Sequence, residues 1–181
     1  MPTSHYTQIP AVIEALIDAH PSSLLEVGIG CGKWGVLARE YLEVWDHYAE
    51  PWGARHTHIT GIELHDLYSD SPAWAAYDNV LIGDARDIVP TLNDVDCALL
   101  VDVLEHFSHE EGERLLKMLL DKAPSVIIAI PTTFFPTIEV WDNPHEIHHC
   151  AWTLDEFRTL GDVRVYRDAD SLVLTLSWRA A

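Results

Sequence analysis

Short, almost wholly apolar runs recur along this chain with helix-patterned segments between them, and that alternation restricts the fold more than any other feature. Residues 24–27, 58–64, 79–85, 98–104 and 125–130 are apolar runs of strand length. Between them, helical spacing fills 9–19 and 33–48, where Trp34, Leu37, Ala38, Tyr41, Leu42 and Trp45 fall on one side. A short helix is expected over 72–77, and Pro51 and Gly53 mark 50–57 as a loop. Ser108 and Glu111 form a capping box for a helix reaching about 122; Thr153 and Glu156 form another for a helix ending near Gly161. Apolar strands alternating with helices are those of a parallel sheet covered on both faces. The last two β-patterned runs, 163–166 and 172–178, are separated by the short polar stretch Asp168-Ala169-Asp170-Ser171, a hairpin signal that makes the sheet mixed.

A chain of 181 residues with 48% hydrophobic content has the material for one domain with a buried core. No linker or repeat divides it. Its 29 acidic against 11 basic residues give a net charge of −18, which repels phosphate backbones and anionic lipid. Nucleic acid and membranes are therefore not expected as partners. Three cysteines without a CxxC pair read as reduced thiols, and the opening MPTSHYTQIP has no signal-peptide pattern. A cytoplasmic protein is the expectation.

Four strand ends carry chemistry. The first runs Glu26-Val-Gly28-Ile-Gly30-Cys-Gly32, where glycines let a ligand approach the main chain before the next helix. Glu63 ends the second strand, placed to accept hydrogen bonds from both ribose hydroxyls or to sit in solvent as a strand-end carboxylate. Asp84-Ala85 ends the third, where a carboxylate and the following N–H can pair with adenine's edge; a plain helix cap reads equally well. Asp102, in Asp102-Val-Leu-Glu105-His106, follows the fourth at the carboxyl edge where open α/β sheets bind ligands.

Together these segments resemble the class I S-adenosylmethionine-dependent methyltransferases, from about Leu24 to Trp178. The resemblance implies a single-domain α/β Rossmann-like three-layer sandwich (core about 22–179). Its seven-stranded mixed sheet would have the order 3-2-1-4-5-7-6, with the last strand antiparallel. It implies S-adenosylmethionine as cofactor, with Gly28, Gly30 and Gly32 passing near its methionine part and Glu26 anchoring the amino group through water or neighbouring backbone. Glu63 would take the ribose hydroxyls, Leu64 would lie beside the adenine, Asp84 and Ala85 would hold the ring, and Asp102 would face the methionine or the substrate. One departure is spacing: Glu63 lies roughly 30 residues beyond Gly32, against about 20 in dinucleotide-binding folds.

The irregular stretch 131–152 is too long for a plain connection. Its Asn-Pro-aromatic-Glu-x-His pattern resembles a loop of some small bacterial methyltransferases, which implies that Asn143, Glu146, His148 and Trp152 line or cover an acceptor pocket. Trp141, in the same stretch, suits a substrate or a partner surface. The His, Glu and Cys there match no standard zinc spacing, so no metal site is expected. His106 and His148 are the candidate general bases, because imidazole accepts a proton near neutrality. With no Asn/Asp-Pro-Pro-Tyr segment after the fourth strand, the resemblance favours a small-molecule acceptor, at oxygen or carbon. Two other classes remain: a non-catalytic cofactor binder and an NAD-dependent oxidoreductase.

Overall fold

In the computed structural model, which describes residues 4–45, 49–51, 53–134, 136–137 and 143–178, β1 (Ser23–Val27) is the hub of the sheet. It pairs in parallel with β2 (His58–Glu63) on one side and with β4 (Cys97–Val101) on the other. β3 (Asn79–Ile82) extends the first side and β5 (Val126–Pro131) the second, both parallel. β7 (Ser171–Ser177) is antiparallel to both β5 and β6 (Asp162–Asp168), so the order is 3-2-1-4-5-7-6. That is the expected mixed sheet, and the closing hairpin has the expected antiparallel sense.

Alternation along the strands divides the core into two layers. Leu25, Val27, Leu100 and Ile128 face one side, covered by α4 (His109–Leu120) and α5 (Leu154–Leu160) through Leu115, Leu116, Leu119 and Phe157. Leu24, Leu99 and Ile127 face the other, covered by α1 (Ile9–Ala19) and α2 (Lys33–Arg39) through Val12, Leu16, Trp34 and Ala38. Both capping boxes form, with Ser108 and Thr153 each accepting the N–H three residues on.

Three boundaries differ from the sequence reading, each for a local reason. The helix expected over 33–48 leaves α geometry after Arg39 and runs as a π-helical turn over Glu40–Val44. The extra residue per turn rotates the residues beyond it about the helix axis, so Trp45, expected on the apolar side, is 67% exposed. Residues 46–48 and Trp52 of the expected loop lie outside the described residues, as does Trp141. β3 ends at Ile82 rather than 85 because Gly83 turns the chain and Asp84 caps the single-turn α3 (Ala85–Ile88). β4 ends at Val101 rather than 104, because Asp102 takes a left-handed φ of 53° and a 3-10 turn comes next at Leu104–His106.

No helix of the described residues is long and apolar enough to cross a membrane.

Candidate active site

The carboxyl ends of β1–β4 converge on one cleft, open to solvent on one side, with about 1030 Å³ of empty space. It lies where the strand order reverses between β1 and β4, the place where open α/β sheets take ligands. Its floor is the turn after β1. Gly28 has φ 74°, and a Cβ there would lie 2.6 Å from Val103 Cγ2, so both its backbone angle and the close approach of the β4 segment require glycine. The N–H groups of Gly28 and Ile29 both donate to Ile62 O, which ties this turn to the end of β2.

Glu63, buried at the end of β2, receives Gly30 N–H at 2.8 Å on Oε2 and His65 N–H at 3.2 Å on Oε1. Burial raises its pKa, and the backbone N–H groups of Gly30, His65 and Leu64 pull it back. A carboxylate has about four lone-pair sites, and the hydrogen bonds from Gly30 and His65 use only two. Leu64 and Ala85 line the cleft beside it. Asp84 lines the cleft too, but as the cap of α3: it accepts Arg86 N–H at 2.8 Å and grips the Arg86 guanidinium. The Arg86 charge holds the Asp84 carboxyl below its usual range, and Arg86 continues to Glu111 at 2.6 Å. Asp102 accepts from Gln8 Nε2 at 2.9 Å, with its pKa raised by burial.

Two residues expected at the cofactor site, Glu26 (through water or neighbouring backbone) and Gly32, do not line the cleft themselves. Glu26 is buried, its Oε2 accepting from the Tyr77 hydroxyl at 2.7 Å and its Oε1 without a partner among the described residues. Burial pushes its carboxyl up to about 8. Gly32 is the N-cap of α2, its Cα packed against Ala73 and Trp74. Neither residue reaches the cleft because the strand pleat and the helix entry turn both toward the protein interior.

The loop before α5 closes the far end. Asn143, His145 and Glu146 line the cleft, and the Tyr68 hydroxyl bonds to Asn143 Nδ2 and Glu146 Oε1 at 3.5 and 3.3 Å. Trp152, expected in the acceptor pocket, is instead buried in the core. Its ring stacks on Phe157 at 5.4 Å and covers Gly112, and its indole N–H donates to Leu104 O. The physical reason is the Thr153 capping box, which docks the start of α5 and carries the preceding ring inward with it. His106 lines the cleft and bonds through Nδ1 to Ile147 O at 3.2 Å; its ring meets that of His148 edge-on at 4.8 Å. Burial, then the neighbouring His148, pushes the His106 imidazole down to about 4. His148 stands behind it and does not line the cleft itself.

Several residues bordering the site have no local signature. Gln8 and Ser4 bring the N-terminal segment over the cleft, where Lys33 Nζ donates to Ser4 O at 2.7 Å. Tyr68, Arg86 and Phe107 complete the wall. Of these, only Arg86 has a sequence signal, its adjacency to Asp84-Ala85.

No protein-family model matches the chain, and no curated protein sequence matches it. Solved structures do resemble it. It overlays on DhpI in complex with S-adenosylhomocysteine with a TM-score of 0.70 at 15% identity, covering 97% of this chain and 86% of that one. Human N-acetylserotonin methyltransferase, bound to S-adenosylmethionine, gives 0.63 at 12% identity over 96% and 52% of the two chains. An O-methyltransferase family protein of Burkholderia thailandensis gives 0.63 at 12% over 96% and 56%. The chain spans little more than half the length of these last two. At such identities the likeness speaks to architecture, and with the strand order it fixes that architecture: the chain has the class I S-adenosylmethionine-dependent methyltransferase fold.

Proposed function

We propose that this chain is an S-adenosylmethionine-dependent methyltransferase acting on a small-molecule acceptor, at oxygen or carbon. The observation that carries the reading is Glu63: a buried carboxylate at the end of β2, braced by the glycine turn through Gly30 N–H, with lone pairs left for two hydroxyls. The donor set around it suits the rest of such a molecule. Asp102 and Glu63 supply negative charge, Leu64 and Ala85 supply an apolar edge, and Asp84 with Arg86 supplies a polar rim.

Bound there, S-adenosylmethionine supplies a methyl group on a sulfonium, a leaving group that needs no further activation. The protein's task is then alignment. Glu63 orients the ribose end, the Gly28–Gly30 turn lets the main chain approach, and Asp102, held by Gln8, faces the methionine end. Glu26, neutral around pH 7, braces the turn from behind through Tyr77 rather than binding charge directly. At the acceptor end Asn143 and Glu146 line the wall, and His106, which also lines the cleft, is the group that would receive a proton from an acceptor hydroxyl, with the His148 ring packed edge-on against it.

The test is calorimetric titration with S-adenosylmethionine, S-adenosylhomocysteine and NADH separately. Micromolar binding of the first two, absent for NADH, is expected. Glu63→Gln, which keeps the shape and loses the charge, is expected to weaken binding by about tenfold or more, as charged hydrogen bonds are worth about 1.5–3 kcal/mol each. Binding of NADH alone overturns the reading.

A further inference from the structure

Glu105 is one of the few described side chains buried with an unpartnered polar atom. It is 2% exposed, and its Oε2 has no hydrogen-bond partner, although its backbone carbonyl accepts both His149 and Cys150 N–H. An orphaned buried carboxylate oxygen is costly unless something satisfies it. Around it, one Glu105 oxygen, a His106 ring nitrogen and a His148 ring nitrogen all lie within 4.8 Å of one another. Among the described residues this is the group of His, Cys, Asp or Glu so placed.

We propose that Glu105, His106 and His148 form a binding site for a divalent transition-metal ion of the zinc class at the acceptor end of the cleft. Two imidazoles and one carboxylate are a donor set that suits zinc and its first-row neighbours better than calcium or magnesium, which prefer oxygen alone. An ion equidistant from three atoms 4.8 Å apart lies about 2.8 Å from each, so bonds of about 2.0–2.2 Å need each side chain to close by well under 1 Å. The outer contacts are built. His106 donates Nδ1–H to Ile147 O, which fixes the tautomer with the Nε2 lone pair outward, as metal-bound histidines require. The loop carrying His148 is pinned to the 3-10 turn carrying Glu105 and His106 by His149 N–H on Glu105 O at 2.7 Å. His148 N–H also donates to Thr137 Oγ1 at 2.7 Å. Three protein ligands leave an open position on the side where His106 meets the cleft.

The role of that open position rests on the methyltransferase reading. An acceptor oxygen coordinated there has its pKa lowered and releases its proton to solvent, and the imidazoles then act as ligands instead of as bases.

Chelator-treated protein, titrated calorimetrically with Zn2+ and followed in the visible with Co2+, is expected to take up one equivalent and to show the d–d bands of a nitrogen- and oxygen-ligated cobalt site. Glu105→Gln and His148→Ala are each expected to weaken Zn2+ by more than about tenfold. Glu105 is buried, so its variant is checked for folding by thermal unfolding, and His148→Ala on the loop carries the test if that variant unfolds. Failure to bind either ion, or undiminished Zn2+ affinity in His148→Ala, overturns the site. A parallel titration of the metal-free protein with S-adenosylhomocysteine separates the two ideas. Cofactor binding without metal binding sinks the metal site alone, whereas metal binding without cofactor binding sinks the methyltransferase reading alone.

Discussion

Glu26 shows how one residue's environment decides its charge. It sits in the central strand beneath the glycine turn, fully desolvated, with Tyr77 as its single hydrogen-bond donor and Glu63 as a like-charged neighbour. Its carboxyl is therefore raised to about 8 from an ordinary 4.5. The folded state then holds a proton that the unfolded chain has released between those values, so stability falls as pH rises through that window. Glu26→Gln keeps the acceptor for the Tyr77 hydroxyl and removes the ionisation. Urea unfolding between pH 5 and 8 is expected to show the wild type losing stability with a slope that approaches about 1.4 kcal/mol per pH unit more than the variant's. Equal slopes would mean that Glu26 ionises freely. Sequence leaves the partners of Glu26 unread, because it reveals the strand end but not what packs beneath it. The partner Tyr77 is 51 residues away, and Gln8 reaches Asp102 across 94. Contacts of that separation leave no trace in local spacing, whereas the positive-φ glycines and the Glu63 carboxylate are legible because their chemistry is local.

The helix α4 sets an element-level conflict between backbone preference and packing. Gly112 lies inside it, where alanine would ordinarily gain about 1 kcal/mol of helix stability. A Cβ at that position would stand 2.6 Å from Trp152 Cζ2, and the indole is held between Phe157 and Leu104 O with little room to retreat. Overpacking of that kind costs about 1–3 kcal/mol, so packing outweighs propensity. Gly112→Ala is expected to destabilise by about 1–2 kcal/mol in chemical unfolding. In a Trp152→Phe background, which removes the indole's outer ring, the same substitution is expected to stabilise. A gain in stability in the wild-type background would show that the indole moves freely. The same contact explains why sequence misplaces Trp152: an aromatic just before a capping box serves a core and a pocket equally well until α5 is docked. Strand and helix identities are readable from periodicity, since each run is bounded by its own turn chemistry. The π-helical turn at Glu40–Val44 is not, because one inserted residue leaves the apolar pattern intact upstream and only rotates the positions downstream of it.

At the scale of the whole molecule the dominant fact is the net charge of −18. Its field extends well beyond contact distance at low ionic strength, since the screening length falls from about 30 Å at 0.01 M to about 3 Å at 1 M salt. Glu63, Asp84, Asp102 and Glu146 add negative charge at the cleft itself, countered there by Lys33 and Arg86. S-Adenosylmethionine carries a sulfonium charge that S-adenosylhomocysteine lacks, and the two are otherwise nearly the same shape. On the methyltransferase reading proposed above, the molecule as a whole therefore attracts S-adenosylmethionine more than S-adenosylhomocysteine, and it does so through a term that salt removes. Titrations of both ligands from low to high NaCl are expected to show affinity for S-adenosylmethionine falling steeply while that for S-adenosylhomocysteine changes little, so their ratio declines. The neutral ligand controls for any effect of salt on the cleft's shape. A ratio independent of salt would mean that Lys33 and Arg86 cancel the field at the cleft, leaving the overall charge to govern solubility alone.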